Sequence, residues 1–423
     1  MKNHRAPIVA VHNDIRSVPP SGARRLLAAA GPELDAHIAC HGPLAAAANA
    51  QMLIDMVAAA GLRGRGGAGF PTARKMAAVG AGRRPIVIAN GAEGEPESSK
   101  DAVLLARAPH LVLDGLTVVA DALGAQQCHL YATEPALDPV RQALSERHAA
   151  GYRGPRIELT AAPATFLAGE KSAVVNRIAG RRALPSDQRV SLSEAGLRGR
   201  PTLVHNVETL AQVALIARYG LRWFRALGTT DEPGTMLVTL SRTAVTGVVE
   251  VPIGTSLLDV IARTGHTDPG TVRAVLIGGY HGTWVPRAAL QRAALSATAL
   301  RPLRATLGAG LLRVLPTTDC GLRASADITT YLAEQSAGQC GPCRNGLPQL
   351  AAAFTELAYG HRGDPAEVMR LAHLVDGRGS CHHPDGTARI VRSALTVFAD
   401  DVQLHARGTC QAAFAATGIR SPR

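Results

Sequence analysis

The most distinctive stretch for chemistry is GLRGRGGAGFPTARKM at residues 61–76, where glycines alternate with basic side chains. The residues that matter most are Gly64, Gly66, Gly67, Gly69, Arg63, Arg65, Arg74 and Lys75. Backbone without Cβ atoms lets consecutive N–H groups converge on an anion, and the basic side chains add positive charge. The string matches neither the GxGxxG fingerprint nor the P-loop. We expect it to hold a phosphate or a dinucleotide, with a flexible surface loop as the alternative.

A second polar stretch, NGAEGEPESSKD at residues 90–101, follows a predicted buried strand. Ligands collect at the carboxyl edge of the strands in α/β sheets, so a site is expected where this loop begins. Glu93 and Glu95 can accept hydrogen bonds from ribose hydroxyls, and Asn90 can bind the edge of a flavin. A solvated acidic loop is the competing interpretation.

The third group is a Cys-x-x-Cys pair, Cys340 and Cys343, with Cys381 and His382 some forty residues further on. In a cytosolic chain this pattern indicates a metal more than a disulfide. Three thiolates suit an iron–sulfur cluster that lacks one ligand, whereas adding His382 gives a Cys3His zinc site. An unmetallated thiol cluster is the third possibility. The remaining cysteines without a partner pattern are expected to be buried bystanders: Cys40, Cys128 and Cys410.

Composition limits the classes of function. The chain has 423 residues and a net charge of +12, but only 3% of its residues are aromatic and no long Lys/Arg block occurs, so no nucleic-acid partner is expected. No run of eighteen apolar residues is present, so we expect no membrane-spanning helix. The sequence predicts a cytoplasmic protein, which a partner can hold at the inner face of a membrane. The charge suits phosphate-bearing cofactors and an acidic electron-transfer partner.

The apolar patterns predict how the chain is organised. Residues 1–50 read as an Ala-rich helical extension. Strands alternate with helices to about residue 220, which predicts an α/β layer with a mostly parallel sheet and includes one long helix at 101–123. From residue 234 the pattern changes to a small α+β unit, and beyond about residue 324 it is helical.

Taken together and in this order, the motifs resemble one family. They are the 61–72 string, the 90–101 loop, Pro109-His110, Gly169-Glu170, Asn206-Val-Glu-Thr209, Cys340-x-x-Cys343-Arg344 and Cys381. The chain resembles the NADH-binding flavoprotein subunit of respiratory complex I and its relatives in bidirectional hydrogenases and NAD-linked formate dehydrogenases. The resemblance implies a Rossmann-like FMN domain at 51–225, a β-grasp soluble-ligand-binding domain at 230–310, and a helical iron–sulfur domain at 320–410.

The resemblance also implies an activity, namely hydride transfer from NADH to FMN and single electrons leaving through a [4Fe-4S] cluster. The partner would be a ferredoxin-like or other iron–sulfur subunit, or a membrane complex. It implies that Glu95 and Glu93 are catalytic. It implies cofactor binding by Gly64, Arg65, Gly66, Gly67, Phe70 (against adenine), Lys75, Asn90, Glu95, Glu170, Asn206 and Thr209, and iron binding by Cys340, Cys343 and Cys381. Taken alone, the stretches around Glu170 and Asn206 are weak signals, and an ordinary N-cap and helix entry explain the one around Asn206 equally well.

Six positions depart from the family pattern: Met76 and Ala78, which replace aromatic residues after the lysine, and Ala92, Lys171, His205 and Ala337. The last replaces one of the cluster cysteines. A [3Fe-4S] form, a ligand such as Ser336 or His382, recruitment of Cys320, or an ordinary cluster at low occupancy would each accommodate the loss. A non-catalytic scaffold that keeps the fold is the alternative function, and a basic nucleic-acid binder with a zinc site is the third.

Overall fold

A computed structural model describes residues 24–43, 50–187, 190–360, 363–410 and 412. Of the predicted N-terminal extension, residues 1–23 and 44–49 lie outside the described residues, and one helix, α1 (Leu34–His41), lies within them. The predicted α/β class, with a parallel sheet, a smaller mixed sheet and C-terminal helices, is confirmed. The boundaries at 51–225, 230–310 and 320–410 remain predictions.

The first part of the chain forms a parallel sheet with helices packed on it. After α1 its helices are α2 (Ala50–Ala60), α3 (Thr72–Gly80), α4 (Lys100–Arg107), α5 (Pro109–Leu123), α6 (Glu134–Ala149), α7 (Lys171–Ile178), α8 (Leu192–Ala195) and α9 (Val207–Arg225). Its strands are β1 (Ile86–Asn90), β2 (Gln127–Thr133), β3 (Arg156–Ala162) and β4 (Thr202–Asn206). The strand order is β3-β2-β1-β4, with every pair parallel.

The register of this sheet determines where a site can form. Residues 86–89 of β1 are all buried, as expected for a strand covered on both faces. β1 and β4 are paired so that Asn90 lies opposite Asn206, each the last residue of its strand. Two side chains predicted to bind the cofactor therefore lie side by side at the carboxyl edge of the sheet.

The single long helix predicted at 101–123 is wrong, because the structure has two helices, α4 and α5, bent by 94°. A proline disfavours helical backbone at the preceding residue, and Ala108, before Pro109, adopts φ −141° and ψ 50°. Among the described residues no single helix combines the length and apolar composition needed to cross a membrane; α4 and α5 would do so only as a bent pair.

The second sheet comprises β5 (Thr235–Ser241), β6 (Gly247–Pro252), β7 (Val272–Ile277), β8 (Thr283–Pro286) and β9 (Leu311–Pro316). Its short helices are α10 (Leu257–Asp259), α11 (Arg287–Leu290) and α12 (Ala297–Leu300). The strand order is β6-β5-β9-β7-β8, with β5 and β9 parallel and all other pairs antiparallel. The last strand therefore lies between two hairpins, which is the β-grasp arrangement expected from the resemblance.

The C-terminal helices are α13 (Gly321–Glu334), α14 (Leu347–Tyr359), α15 (Pro365–Val375), α16 (His383–Val397) and α17 (Ala399–Ala406). A π-helical turn at Pro342–Gly346 leads into α14. The helices share one apolar core with side chains from one face of the second sheet, including Leu276 and Trp284. The other face of the second sheet packs on a separate apolar core with the short helices of that sheet. The second sheet therefore lies between two apolar cores.

Candidate functional site

The glycine loop is closed at its base by backbone pairing between Arg63 and Pro71, and the Gly64 N–H donates to the Phe70 carbonyl at 2.9 Å. Gly67 has a φ of 109°, a conformation that side chains with a Cβ rarely adopt. The same residue pairs with Gly308, which precedes β9. The loop is therefore a defined turn that lies between the two sheets.

The loop is seated on the start of α9. The Arg65 N–H donates to Thr209 Oγ1 at 2.9 Å, and a Cβ at Gly66 would lie 3.2 Å from the Asn206 Cβ. The Arg65 guanidinium points inward, where it donates to the Thr235 carbonyl at 3.2 Å and lies 3.9 Å from the Glu208 carboxylate. The structure thus brings the loop, Asn206 and Thr209 together. The Arg65 guanidinium is directed at Thr235 and Glu208 of the protein itself.

A cavity of about 220 Å³ opens beside the loop. Its wall combines distant parts of the chain: Arg63, Gly64, Lys100, Glu208, Met236 and Gly308. A side chain at Gly67 would meet the Gly308 backbone at 3.7 Å. Because bare backbone, rather than side chains, forms one wall of this cavity, it has the construction expected of a nucleotide cradle.

Lys75 supplies a half-buried positive charge near the carboxyl edge of the parallel sheet. Its Nζ donates to the Val204 carbonyl at 2.5 Å, and within the described residues it has no carboxylate partner. Burial, together with the nearby Lys171 charge, lowers its pKa to about 8. A cation without a counter-charge attracts an anion, so this side chain fits a phosphate-bearing or anionic cofactor.

A hydrogen-bonded network fixes the two asparagines. Asn90 donates through Nδ2 to the Gly169 carbonyl at 2.9 Å, and Asn206 donates to Asp101 at 2.6 Å. Lys100, buried beneath them, contacts the Asp101 carboxylate at 2.6 Å and the Glu208 carboxylate at 3.1 Å. Sequence reasoning missed Asp101 and Glu208. The signal was Lys100, one of only four lysines in the chain.

The two predicted catalytic carboxyls have raised pKa values. Glu93 accepts from Ser98 Oγ at 2.7 Å, and burial with the Asp101 charge raises its pKa to about 7. Glu95 accepts from the Tyr280 N–H at 2.9 Å, and burial with the charges of Glu97 and Glu93 raises its pKa to about 8. Glu95 is thus held by the turn that joins β7 to β8, and near pH 7 much of it is protonated.

The three predicted iron ligands lie together. Cys340 and Cys343 adjoin each other. Burial with the neighbouring charges of Cys343, Glu170 and Cys340 raises the pKa of Cys381 to about 11. The backbone N–H groups of Ala337 and Gly338 reach the Cys343 sulfur. The position where the family has its further cysteine therefore adjoins the other thiols, with a methyl group in place of sulfur.

Geometry disfavours the Cys3His zinc alternative at this place. Tetrahedral zinc thiolates require sulfur atoms about 3.8 Å apart. Within the described part of the chain, the one set of three potential ligand atoms within 4.8 Å of one another lies elsewhere. His382 is fully exposed and pairs with Asp385 at 3.0 Å. Cluster iron atoms hold thiolates further apart than a single zinc ion does, so an iron–sulfur group fits better.

Recruitment of Cys320 to the cluster is excluded by its position. It caps the start of α13, whereas Ala337 follows the end of that helix, about 20 Å away at the usual rise per residue. Ser336 is near the thiols and donates to the Cys343 carbonyl at 3.5 Å. Two expected bystanders also differ from expectation: Cys40 is exposed, and Cys410 lies beside Cys320.

An aromatic cluster lies between the cysteines and the carboxyl edge of the parallel sheet. That edge carries Asn90 and Asn206 and is named the asparagine edge. The Phe166 ring contacts that of His281 at 4.8 Å between centroids, and His281 Nε2 lies 3.0 Å from His383 Nδ1. A cavity of about 410 Å³ borders this cluster, Glu170 and Cys381. Glu170 also caps α7 by accepting from the Ser172 N–H at 2.8 Å. It therefore lies on the cysteine side of the asparagine edge, apart from the cavity beside the glycine loop.

Phe70 has a different setting from the other predicted cofactor residues. Its ring is 49% exposed, and the Arg74 guanidinium lies 5.5 Å from its centroid. The side chain is at the rim of the loop, where an incoming base can stack on it.

Two known sequence families match the chain. The Nuo51 FMN-binding domain matches residues 57–215, which contain the glycine loop and both asparagines. The NADH-ubiquinone oxidoreductase-F iron-sulfur binding region matches residues 323–405, which contain the three cysteines. The two matches thus coincide with the two groups of residues described above.

Similar whole proteins are also known. The chain is 32% identical over 372 residues to the F 2 subunit of the NADH-quinone oxidoreductase of Rhizobium meliloti, covering 84% of this chain and 88% of that protein. It is 28% identical to the HndC subunit of the NADP-reducing hydrogenase of Solidesulfovibrio fructosivorans, covering 84% and 76%. A chain of the NAD+-reducing [NiFe]-hydrogenase in the H2-reduced state superposes with a TM-score of 0.77 at 28% identity, over 88% of this chain and 67% of that one. The family expected from the sequence is confirmed, and the chain belongs to the family of NADH-quinone oxidoreductase F subunits.

Proposed function

We propose that this chain is an electron-transfer flavoprotein subunit that oxidises NADH through FMN and passes single electrons to an iron–sulfur cluster and then to a partner. The observation that supports the proposal is the glycine-loop cavity together with the nearby carboxyl edge of the parallel sheet. At that edge Asn90 donates to Gly169, and the next residue, Glu170, lies beside Cys381. Bound FMN would accept a hydride and release its electrons singly, which explains why a flavin site and a cluster share one chain.

For the flavin, the backbone of Gly66 and Gly67 offers N–H groups, and the bare backbone of Gly64, whose own N–H donates to Phe70, permits close approach. Asn90 and Asn206 present amides at the strand ends, already oriented by Gly169 and Asp101. In this proposal Arg65 and Thr209 act by holding the loop on α9, and Phe70 stacks on the adenine of NADH.

For the chemistry, Glu95 and Glu93 would control protons and charge around the nicotinamide. With a pKa of about 8, Glu95 is largely neutral at pH 7, which avoids repelling an anionic dinucleotide. The carboxyl accepts from the Tyr280 N–H at 2.9 Å, so it has a fixed orientation.

For the cluster, Cys340, Cys343 and Cys381 would hold a [4Fe-4S] or [3Fe-4S] group. Such a group supplies a one-electron acceptor. Glu170 faces Cys381, and the Phe166, His281 and His383 rings close the space between the cysteines and the asparagine edge.

The relatives named above are subunits of larger oxidoreductases. For this chain we propose a ferredoxin-like or other iron–sulfur protein as the partner. The predicted cytoplasmic placement at a membrane complex belongs to the same proposal, as do the division into domains at 51–225, 230–310 and 320–410 and the role of Glu170 in cofactor binding.

Anaerobic reconstitution with FMN, iron and sulfide, followed by NADH titration, tests the proposal. We expect bound flavin absorbance to bleach with one NADH per FMN, and a one-electron dye to be reduced on further addition. Flavin that binds but does not respond to NADH would favour the scaffold alternative, and protein that takes up no flavin would refute the assignment.

Lys75 should make FMN binding depend on pH. Below its pKa of about 8 the ammonium is charged and stabilises an anionic ligand, so affinity is expected to fall as the pH rises from about 7 to about 9. Lys75→Met should weaken FMN binding about tenfold near pH 7 and remove this dependence. Fluorescence titration of FMN at several pH values measures both effects.

The neighbouring Lys171 provides the control. It is exposed, and its charge helps to lower the Lys75 pKa. Lys171→Met should therefore keep tight FMN binding and move the loss of affinity to higher pH. Equal pH profiles for wild type and Lys75→Met would contradict the role assigned to Lys75.

A further inference from the structure

A second group of sulfur and nitrogen ligands lies where the two ends of the C-terminal helices meet. Cys320 immediately precedes α13, His405 is in the last turn of α17, and Cys410 follows that helix. Cys320 Sγ lies 3.4 Å from His405 Nε2, and the three ligand atoms all lie within 4.8 Å of one another. All three residues are buried, with 5–8% exposure.

The spacing matches a transition-metal site. With Zn–S at about 2.3 Å and Zn–N at about 2.0 Å, a tetrahedral ion separates a sulfur from an imidazole nitrogen by about 3.5 Å. The observed 3.4 Å is within the adjustment that a bound ion needs. Two cysteines and one histidine are soft and borderline ligands, which favour zinc over magnesium or calcium.

The surroundings give an independent indication that a cation binds here. Asp401, one turn before His405 on α17, is fully buried, and its charge acts on both Cys320 and His405. One of its oxygens pairs with Arg273 at 2.6 Å, whereas Oδ1 is buried without a hydrogen-bond partner. A buried carboxylate oxygen without a partner is costly, and a nearby cation would offset that cost.

The imidazole is also held as a metal ligand usually is. The backbone carbonyls of Leu357 and Ala358 on α14 adjoin its ring, while Nε2 faces the Cys320 sulfur. Such a contact to the second ring nitrogen fixes the orientation and tautomer of a ligating histidine.

We propose that Cys320, His405 and Cys410 bind one zinc ion, with the Asp401 carboxylate beside it. The ion joins the end of α17 and the residues after it to the start of α13, so its role is structural. The site is at the opposite end of α13 from Ala337 and is separate from the iron–sulfur cysteines.

Elemental analysis of the full-length protein, purified and reconstituted anaerobically with iron and sulfide, tests the proposal. Two variants separate the sites, Cys410→Ser and Cys343→Ser. We expect about one zinc per chain in the wild type, near-complete loss of zinc with iron retained in Cys410→Ser, and the reverse in Cys343→Ser. Cys128→Ser, which changes a buried thiol on β2, should keep both metals.

Cobalt substitution gives a reading that does not need a stable variant. Wild-type protein loaded with Co²⁺ should show the visible bands of tetrahedral cobalt with thiolate ligands. Zinc that stays in Cys410→Ser, or that leaves only in Cys343→Ser, would overturn the site. So would an intact mass two hydrogens lighter that reveals a Cys320–Cys410 disulfide, or a wild-type protein that binds neither zinc nor cobalt.

Discussion

Cys343→Ser should leave a yellow protein that binds FMN but holds little iron. Cys343 is the most buried of the three proposed ligands, at 3% exposure, and the backbone N–H groups of Ala337 and Gly338 reach its sulfur. Iron content should fall at least about tenfold, because even groups that only hydrogen-bond a metal ligand are worth roughly 10–100-fold in affinity. NADH should still bleach the flavin, while reduction of an iron–sulfur partner protein should be lost. Iron analysis and stopped-flow absorbance measure the two effects.

Ala337→Cys is the matched gain-of-ligand variant. Since Ala337 adjoins the Cys343 sulfur, a thiol there should raise iron content and shift the electron paramagnetic resonance spectrum toward that of a reduced [4Fe-4S] cluster. If Cys343→Ser kept normal iron, or if Ala337→Cys changed neither iron content nor spectrum, the assignment of the cluster to these residues would be wrong.

Gly94→Ala should disrupt the carboxyl edge of the parallel sheet, where the 90–95 loop packs against the 166–170 turn. The flavin site depends on this contact. A Cβ at Gly94 would lie 2.0 Å from the Phe166 carbonyl oxygen, a backbone atom that cannot move aside cheaply. Forcing such an overlap costs roughly 1–3 kcal/mol and separates the 90–95 loop from the 166–170 turn. The free energy of unfolding and the flavin content of the purified protein should both fall. Denaturant unfolding followed by circular dichroism and flavin absorbance measures them.

Gly154→Ala is the control for this substitution, because its Cβ would have only an ordinary contact at 3.5 Å with Thr117. It should match the wild type in stability and flavin content. If Gly94→Ala behaved in the same way, the close contact between the two loops would not support the site.

The glycine loop and the two asparagines could be predicted from the sequence, because their positions depend on the conformation of the local backbone. The glycine loop needs positive φ at Gly67, and a run of glycines signals this directly. Asn90 and Asn206 each end a strand in a parallel sheet, so their proximity follows once both strands are recognised. The first of these strands was visible as an apolar run, whereas β4 was not identified from the pattern.

Other features were hidden because they depend on contacts between distant residues. Lys100 is neutralised by Glu208, more than one hundred positions along the chain, and no local pattern marks that pair. The α4–α5 bend was misread because the apolar periodicity continues across Pro109. Cys320 and Cys410 likewise meet only through the packing of α13 and α17.

The wall of the glycine-loop cavity has a consequence for biosynthesis. It includes residues from Arg63 to Gly310, so the ribosome must add nearly 250 further residues after the loop emerges before its pocket exists. A nascent chain therefore exposes the basic loop for most of its synthesis without a finished pocket to retain a nucleotide. Completion of the cavity is consequently a late event in maturation, which follows the synthesis of the second sheet.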